Sequence, residues 1–183
     1  MNFQVETNEI SGLKIITPRL FKDSRGYFYE TYKASAFKEF GLADDFIQTN
    51  QSFSYQGAVR GLHFQTGGSA QAKLVRCLRG EIYDVAVDLR KNSPTFGKYF
   101  GINLSAENRV MFYIPIGFAH GFSVLSDEAE VSYNVSGSEY DPKSEGGIRF
   151  DDPTLKIDWK VKEPIVSDKD KILPFLNDLK NLF

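Results

Sequence analysis

Between Ala58 and Ser136 the chain runs in short apolar-polar alternations. They are broken by turn signals at Thr66-Gly67-Gly68-Ser69, Arg79-Gly80, Lys91-Asn92-Ser93-Pro94, Ser105-Ala106-Glu107-Asn108, Pro115-Ile116-Gly117 and Ser126-Asp127. A turn every ten residues or so, with period-two patterning between turns, predicts antiparallel strands closed into a sandwich or barrel. Helical patterning is confined to the flanks. Ala34 to Phe40 predicts about two turns with Gly41 as a C-cap. In the tail after Ser167, Ile172, Phe175, Leu176 and Leu179 fall at helical spacing, and Pro174 interrupts them, so the helix either begins at that proline or stays short. From about Asp151 onward, Pro153, Trp159 and Pro164 predict an extended arm packed against the barrel. No repeat, low-complexity stretch or linker divides the chain, so residues 1–183 are expected to form a single domain.

Composition supports a mainly β fold: 42% of residues are hydrophobic and 25% charged, and 16 Phe with 9 Tyr favour strands. A formal charge of −2 supplies no general attraction to nucleic acid or an anionic membrane, so an anionic ligand must be met by a local set of cations. Cys77 is the single cysteine and cannot form an intrachain disulfide. No apolar run approaches the ~18 residues of a membrane span. The start Met1-Asn2-Phe3-Gln4-Val5-Glu6 lacks the basic-then-apolar pattern of a secretory signal, and a cytoplasmic protein is expected.

The chain has two histidines, and both fall in strand-turn contexts: His63 in Arg60-Gly61-Leu62-His63-Phe64-Gln65 and His120 in Pro115-Ile116-Gly117-Phe118-Ala119-His120-Gly121-Phe122. The Pro-x-Gly-x-x-His stretch resembles the second motif of cupins, and the first motif can be laid over His63 and Gly80. Metal-binding cupins carry a second histidine and then a glutamate where this chain has Gln65 and Lys73. An ammonium has no lone pair for a metal and a neutral amide is a poor ligand, so no metal is expected. A cation facing a histidine in a half-buried pocket suits removal of a proton beside a carbonyl, with imidazole as base and the cation holding the enolate oxygen. Alternation puts His63 with Gly61 and Gln65, and Lys73 with Val75, Cys77 and Arg79. Arg60 falls on the opposite face from His63 unless the strand bulges at Gly61.

Taken in order, Asp23-Ser24-Arg25-Gly26-Tyr27-Phe28-Tyr29-Glu30, the His63 block, Gln71-Ala72-Lys73-Leu74-Val75-Arg76, Gly80 to Arg90, Ser93-Pro94-Thr95-Phe96-Gly97, Leu104 to Asn108, Gly117 to Phe122 and Ser167-Asp168-Lys169-Asp170 closely resemble the dTDP-4-dehydrorhamnose 3,5-epimerase family. The resemblance runs from about residue 10 to residue 175. It implies a cupin-type double-stranded β-helix, or jelly-roll barrel, with short flanking helices. It also implies a cofactor-free homodimer that inverts C3 and C5 of dTDP-4-keto-6-deoxy-D-glucose. By the same match His63 is the base, Asp170 orients it, Lys73 steadies the enolate and Tyr133 donates the proton. Arg25, Glu30, Gln48, Asn50, Arg60, Lys73, His120, Glu145 and Lys169 become candidate substrate contacts, and Asp84 a further side chain to orient His120. Read from spacing alone, Ser167-x-x-Asp170 is a capping box that opens the last helix. The chain departs from the family at Thr49, where Asp is frequent, at Ile116 for Glu, at Asn134 for Lys, and in a one-residue insertion at 137 to 139. Those departures leave open a relative that inverts one centre of a different nucleotide sugar. The residue set also stands against two other classes: a metal-dependent cupin enzyme and a catalytically idle sugar-binding barrel.

Overall fold

The computed structural model describes residues 2–43, 45–180 and 182–183. The strands are, in chain order, β1 (Phe3–Thr7), β2 (Lys14–Pro18), β3 (Phe21–Asp23), β4 (Gly26–Phe28), β5 (Gln48–Tyr55), β6 (Ala58–Gln65), β7 (Ala72–Arg79), β8 (Glu81–Asp88), β9 (Tyr99–Ser105), β10 (Met111–Ile114), β11 (Phe118–Val124), β12 (Glu128–Ser136), β13 (Glu145–Gly147) and β14 (Ile165–Val166). One sheet has the order β1-β2-β10-β7-β12-β5. The facing sheet runs β13-β6-β11-β8-β9, with β14 pairing parallel to the first residues of β6. This is the expected jelly-roll, and its strands also extend upstream of Ala58, to the short β1–β4 and the eight-residue β5.

Alternation builds three apolar layers. Val75, Cys77, Phe112 and Val131 of the first sheet meet Ile82, Ala86, Phe118 and Phe122 of the second across the interior. The opposite face of the first sheet offers Ala72, Leu74, Met111 and Tyr113, which are covered by α1 (Ala34–Glu39) through Phe37. Sinking that ring fully out of water contributes about 2–3 kcal/mol. α1 ends as predicted: Gly41 has φ +69, its N–H donates to the Lys38 carbonyl, and Leu42 N–H donates to the Phe37 carbonyl, a Schellman stop.

The outer face of the second sheet, including Val59, Leu62, Val85 and Val87, is covered by Leu155, Trp159, Val166 and Leu176 of the C-terminal arm. Trp159 Nε1 donates to the Phe150 carbonyl at 2.7 Å, so the ring is held with its polar edge satisfied. The tail makes only one helical turn, α2 (Asp168–Lys171), and a 3-10 turn at Leu176–Asp178. Pro174 lies between them and prevents the longer helix that the spacing of Ile172, Phe175 and Leu179 suggests. Among the described residues no helix is long and apolar enough to cross a membrane.

Candidate active site

The site begins with an irregularity in β6. His120 pairs with His63 and Phe122 with Arg60, so two residues of β6 stand opposite one of β11, and the ladder bulges at Gly61–Leu62. Gly61 makes this possible: its φ is +116, and a Cβ there would lie 2.6 Å from Gly121 Cα and 2.7 Å from the His120 carbonyl oxygen. The extra residue turns Arg60 to the same cavity as His63. The expectation of opposite faces is thereby corrected in favour of the bulge.

Asp170 arrives from α2. Its Oδ1 lies 2.8 Å from His63 Nε2, and its Oδ2 accepts from the Gly61 backbone N–H at 3.3 Å. The Ser167 hydroxyl accepts from the Asp170 N–H at 3.1 Å and caps the short helix. Ser167 therefore does the capping, while the Asp170 carboxylate is turned away to the imidazole. Burial pushes the Asp170 carboxyl up, but the bonds and charge of His63 and the Gly61 N–H outweigh it and hold it below the usual range. An ionised carboxylate on Nε2 fixes the ring with its proton there. Nδ1 is then the nitrogen with a free lone pair.

The first sheet supplies the opposite wall. Lys73 on β7 and Tyr133 on β12 face the cavity, with the Lys73 ammonium 5.7 Å from the Tyr133 ring centroid. Burial brings the Lys73 amine down to about 8, against the pull of Asp84 and Glu145, so it remains a cation at neutral pH. Burial pushes the Tyr133 phenol up, against a hydrogen bond from Asn50 and the charge of Arg60, so it holds its proton at neutral pH. Beside His63, His120 Nε2 lies 3.0 Å from both oxygens of Asp84. Burial, then the neighbouring Lys73 and His63, press His120 toward its neutral form in spite of Asp84. Burial raises Asp84 against His120 and Lys73.

Two joined cavities of about 670 and 410 Å³ share His63, Lys73 and Tyr133. Arg60, His120, Lys169 and Asp170 line the larger, and Gln48, Asn50, Gln65 and Glu145 the smaller. Lys169 Nζ bonds both Glu145 oxygens, at 2.8 and 2.7 Å, across the mouth between them. Tyr140 completes that rim, donating its hydroxyl to Glu145 Oε2 at 2.8 Å while its ring stays half exposed. The sequence reading missed Tyr140, which lies in an unpatterned turn; an aromatic in a loop five residues before Glu145 was the available signal.

Two expected contacts are not at this cavity. Arg25 sits on the β3–β4 ribbon, exposed and paired with Asp23, and Glu30 accepts from Asn2 Nδ2 at 2.9 Å near α1. The ribbon pairs only with itself, so within one chain neither residue lines the pocket. The departures at Thr49 and Asn134 prove to be cross-strand partners: Thr49 Oγ1 donates to Asn134 Oδ1 at 3.0 Å. Alternation turns that pair away from the cavity that Asn50 and Tyr133 face. Ile116 is exposed beside the Gly137 turn, so that departure abuts the insertion. Among the described residues no group of three or more His, Cys, Asp or Glu converges as a metal site, and the Gln65 amide is bonded to backbone on both its oxygen and its nitrogen.

A model of the family described as dTDP-4-dehydrorhamnose 3,5-epimerase matches residues 7–178. The protein of that name from Shigella flexneri is 50% identical over 163 residues, covering 88% of this chain and 90% of that one. The fold superposes with a TM-score of 0.93 on the crystal structure of dTDP-4-dehydrorhamnose 3,5-epimerase from Elizabethkingia anophelis, at 49% identity over 97% of this chain and 98% of that one. It superposes equally, at 0.93 and 44% identity over 97% and 95% of the two chains, on a dTDP-6-deoxy-D-glucose-3,5-epimerase from Legionella pneumophila in complex with dTDP-4-keto-L-rhamnose. Similarity of this extent, over a chain whose imidazole, ammonium and phenol already face one cavity, makes the protein a member of the dTDP-4-dehydrorhamnose 3,5-epimerase family.

Proposed function

We propose that the protein converts dTDP-4-keto-6-deoxy-D-glucose to dTDP-4-keto-L-rhamnose by inverting C3 and C5, in dTDP-L-rhamnose biosynthesis, without metal or cofactor. The observation that carries this reading is the His63–Asp170 pair on one sheet facing Lys73 and Tyr133 on the other. A proton beside the C4 ketone passes to His63 Nδ1, and the imidazolium formed is held by the Asp170 carboxylate. The electron pair moves onto the C4 oxygen, where the Lys73 ammonium holds the enolate. Tyr133, facing from the opposite wall, delivers its phenolic proton to the other side of the carbon, and Asn50 and Arg60 steady the phenolate left behind. Each inversion leaves His63 protonated and Tyr133 ionised, so solvent must restore both before the next.

Arg60, tied by its Nε to Ser54 Oγ at 2.8 Å, clamps the diphosphate, and the Tyr140 ring beside Glu145 and Lys169 offers a flat face to the base. The active form is a homodimer in the cytoplasm. β5 is an unpaired sheet edge, and the ribbon holds Tyr27 and Phe28 55% and 65% exposed, so a second copy supplies the cover and brings Arg25 and Glu30 to the site.

Incubation with the dTDP-4-keto sugar in deuterated water, with chelator present, tests the chemistry by NMR. Deuterium is expected at both C3 and C5. Exchange at one carbon selects the single-centre relative, and exchange at neither removes the proposal. His63→Ala is expected to abolish exchange, while Tyr133→Phe retains proton removal better than product formation.

A further inference from the structure

Three glutamines grip the turn that carries Tyr140. Gln71 Nε2 donates to the Ser138 carbonyl at 2.9 Å. Gln65 Nε2 donates to the Ser69 carbonyl at 2.9 Å and reaches the Glu139 carbonyl at 3.4 Å, while its Oε1 accepts from the Asp141 N–H at 2.7 Å. Gln48 Oε1 accepts from the Tyr140 N–H at 3.2 Å. Every residue from 138 to 141 is thus bonded through its backbone to a side chain. Surface turns ordinarily satisfy such groups with water or with their own backbone.

The placement is systematic. Gln65 is two residues beyond His63 on β6, and Gln71 two residues before Lys73 at the entry to β7. The base and the cation are each spaced by one strand period from a glutamine that holds the same turn. Gln65 is buried, and both ends of its amide are used in these bonds, so it has no free polar atom to offer a ligand. A carboxylate at either position would lose the donation to carbonyl oxygens, and an aliphatic side chain would lose all of it.

We propose that Gln65 and Gln71 are positioning residues for nucleotide recognition. They hold the Tyr140 ring at a fixed distance from His63 and Lys73, act on the ligand only through that ring, and take no part in proton transfer. The inference rests on the reading above, in which Tyr140 meets the base.

The test uses the full-length protein with Gln65→Leu and Gln71→Leu, alone and combined with Tyr140→Ala. In ligand-free protein, amide hydrogen exchange across 138–141 is expected to quicken in either variant, with β6 and β12 unchanged. Binding of dTDP followed by calorimetry is expected to weaken by roughly tenfold, as one or two net hydrogen bonds predict, and KM should rise more than kcat falls. In the Tyr140→Ala background either glutamine change should add nothing further. Equal weakening with and without the Tyr140 ring would make the glutamines direct contacts and overturn the proposal, as would unaltered exchange at 138–141. Failure of the unmutated protein to bind dTDP would instead count against the nucleotide substrate, and the exchange data would still decide the clamp.

Discussion

At the scale of single residues, the site sets a buried ammonium whose pKa burial lowers against an imidazole fixed by a carboxylate. Lys73 loses its charge near pH 8 because burial outweighs the attraction of Asp84 and Glu145. In the proposed mechanism the enolate needs that charge, so activity is expected below about 8 and should fall as pH rises through it. A pH profile of kcat/KM should show this descending limb, and Lys73→Arg, whose charge persists, should displace it upward. A limb unmoved in that variant would assign the loss to another group. Lys73→Met should lower kcat by about 10² to 10³, the scale of losing one oxyanion-stabilising group. The sequence made His63 and Lys73 readable because both sit in patterned strands where a metal-binding barrel would place ligands. It left Asp170 ambiguous, since a cap and an orienter share the spacing Ser167-x-x-Asp170, and only the direction of the carboxylate separates them. Tyr140 offered only a weak signal, an aromatic in a loop five residues before Glu145, because its place depends on the glutamine side chains that hold its backbone.

At the scale of elements, one glycine decides which side chains share a cavity. The bulge at Gly61 puts Arg60 and His63 on one side of β6 and presents the Gly61 N–H to Asp170. Gly61→Ala would force a Cβ into Gly121 and the His120 carbonyl in a backbone region that alanine avoids, at a cost of about 1–3 kcal/mol. Its expected signature is a lowered Tm together with a loss of kcat/KM larger than partial unfolding accounts for, because His63 and Arg60 move apart. Retained activity in a folded Gly61→Ala protein would show that the strand can supply both side chains without the bulge. The central strands were legible from alternation, and so was the possibility of this bulge. β1 to β4 were less so, since β1 and β2 run only five residues and the three-residue β3 and β4 are exposed throughout, too few periods to read. The tail was read at the right place, but Pro174 divides its apolar spacing into two turns that pack by arm docking instead of continuous helix.

For the whole molecule, the end of β8 is secured by a buried carboxylate outside the catalytic cavity. Asp88 accepts from Arg90 Nε at 2.9 Å, Ser93 Oγ at 2.6 Å and Thr95 Oγ1 at 2.7 Å. Burial pushes its carboxyl up, and these bonds overcome that to bring it to about 2. A depressed carboxyl stabilises the fold fully above its unfolded value of about 4 and loses that contribution as pH falls toward 2. Urea midpoints should therefore show Asp88→Asn less stable than the natural protein at pH 6, with the gap closing as pH approaches 2.5. A gap constant across that range would remove ionisation as its cause. Assembly is a second property at this scale: sedimentation should show a dimer, and Tyr27→Glu with Phe28→Glu should dissociate it and lower activity. A fully active monomer would make the ribbon and its Arg25 irrelevant to catalysis.

The arm that covers the second sheet also delivers Asp170, and this gives the protein an order of maturation. During synthesis every strand of both sheets, β14 included, is made before residue 170, so a jelly roll can close around His63 while the imidazole still lacks its carboxylate. If Asp170 orients His63 as proposed, proton chemistry is expected only once the last few dozen residues dock. A protease that trims that arm from the finished protein is expected to remove activity, since the arm carries Asp170 and covers Val59, Leu62, Val85 and Val87.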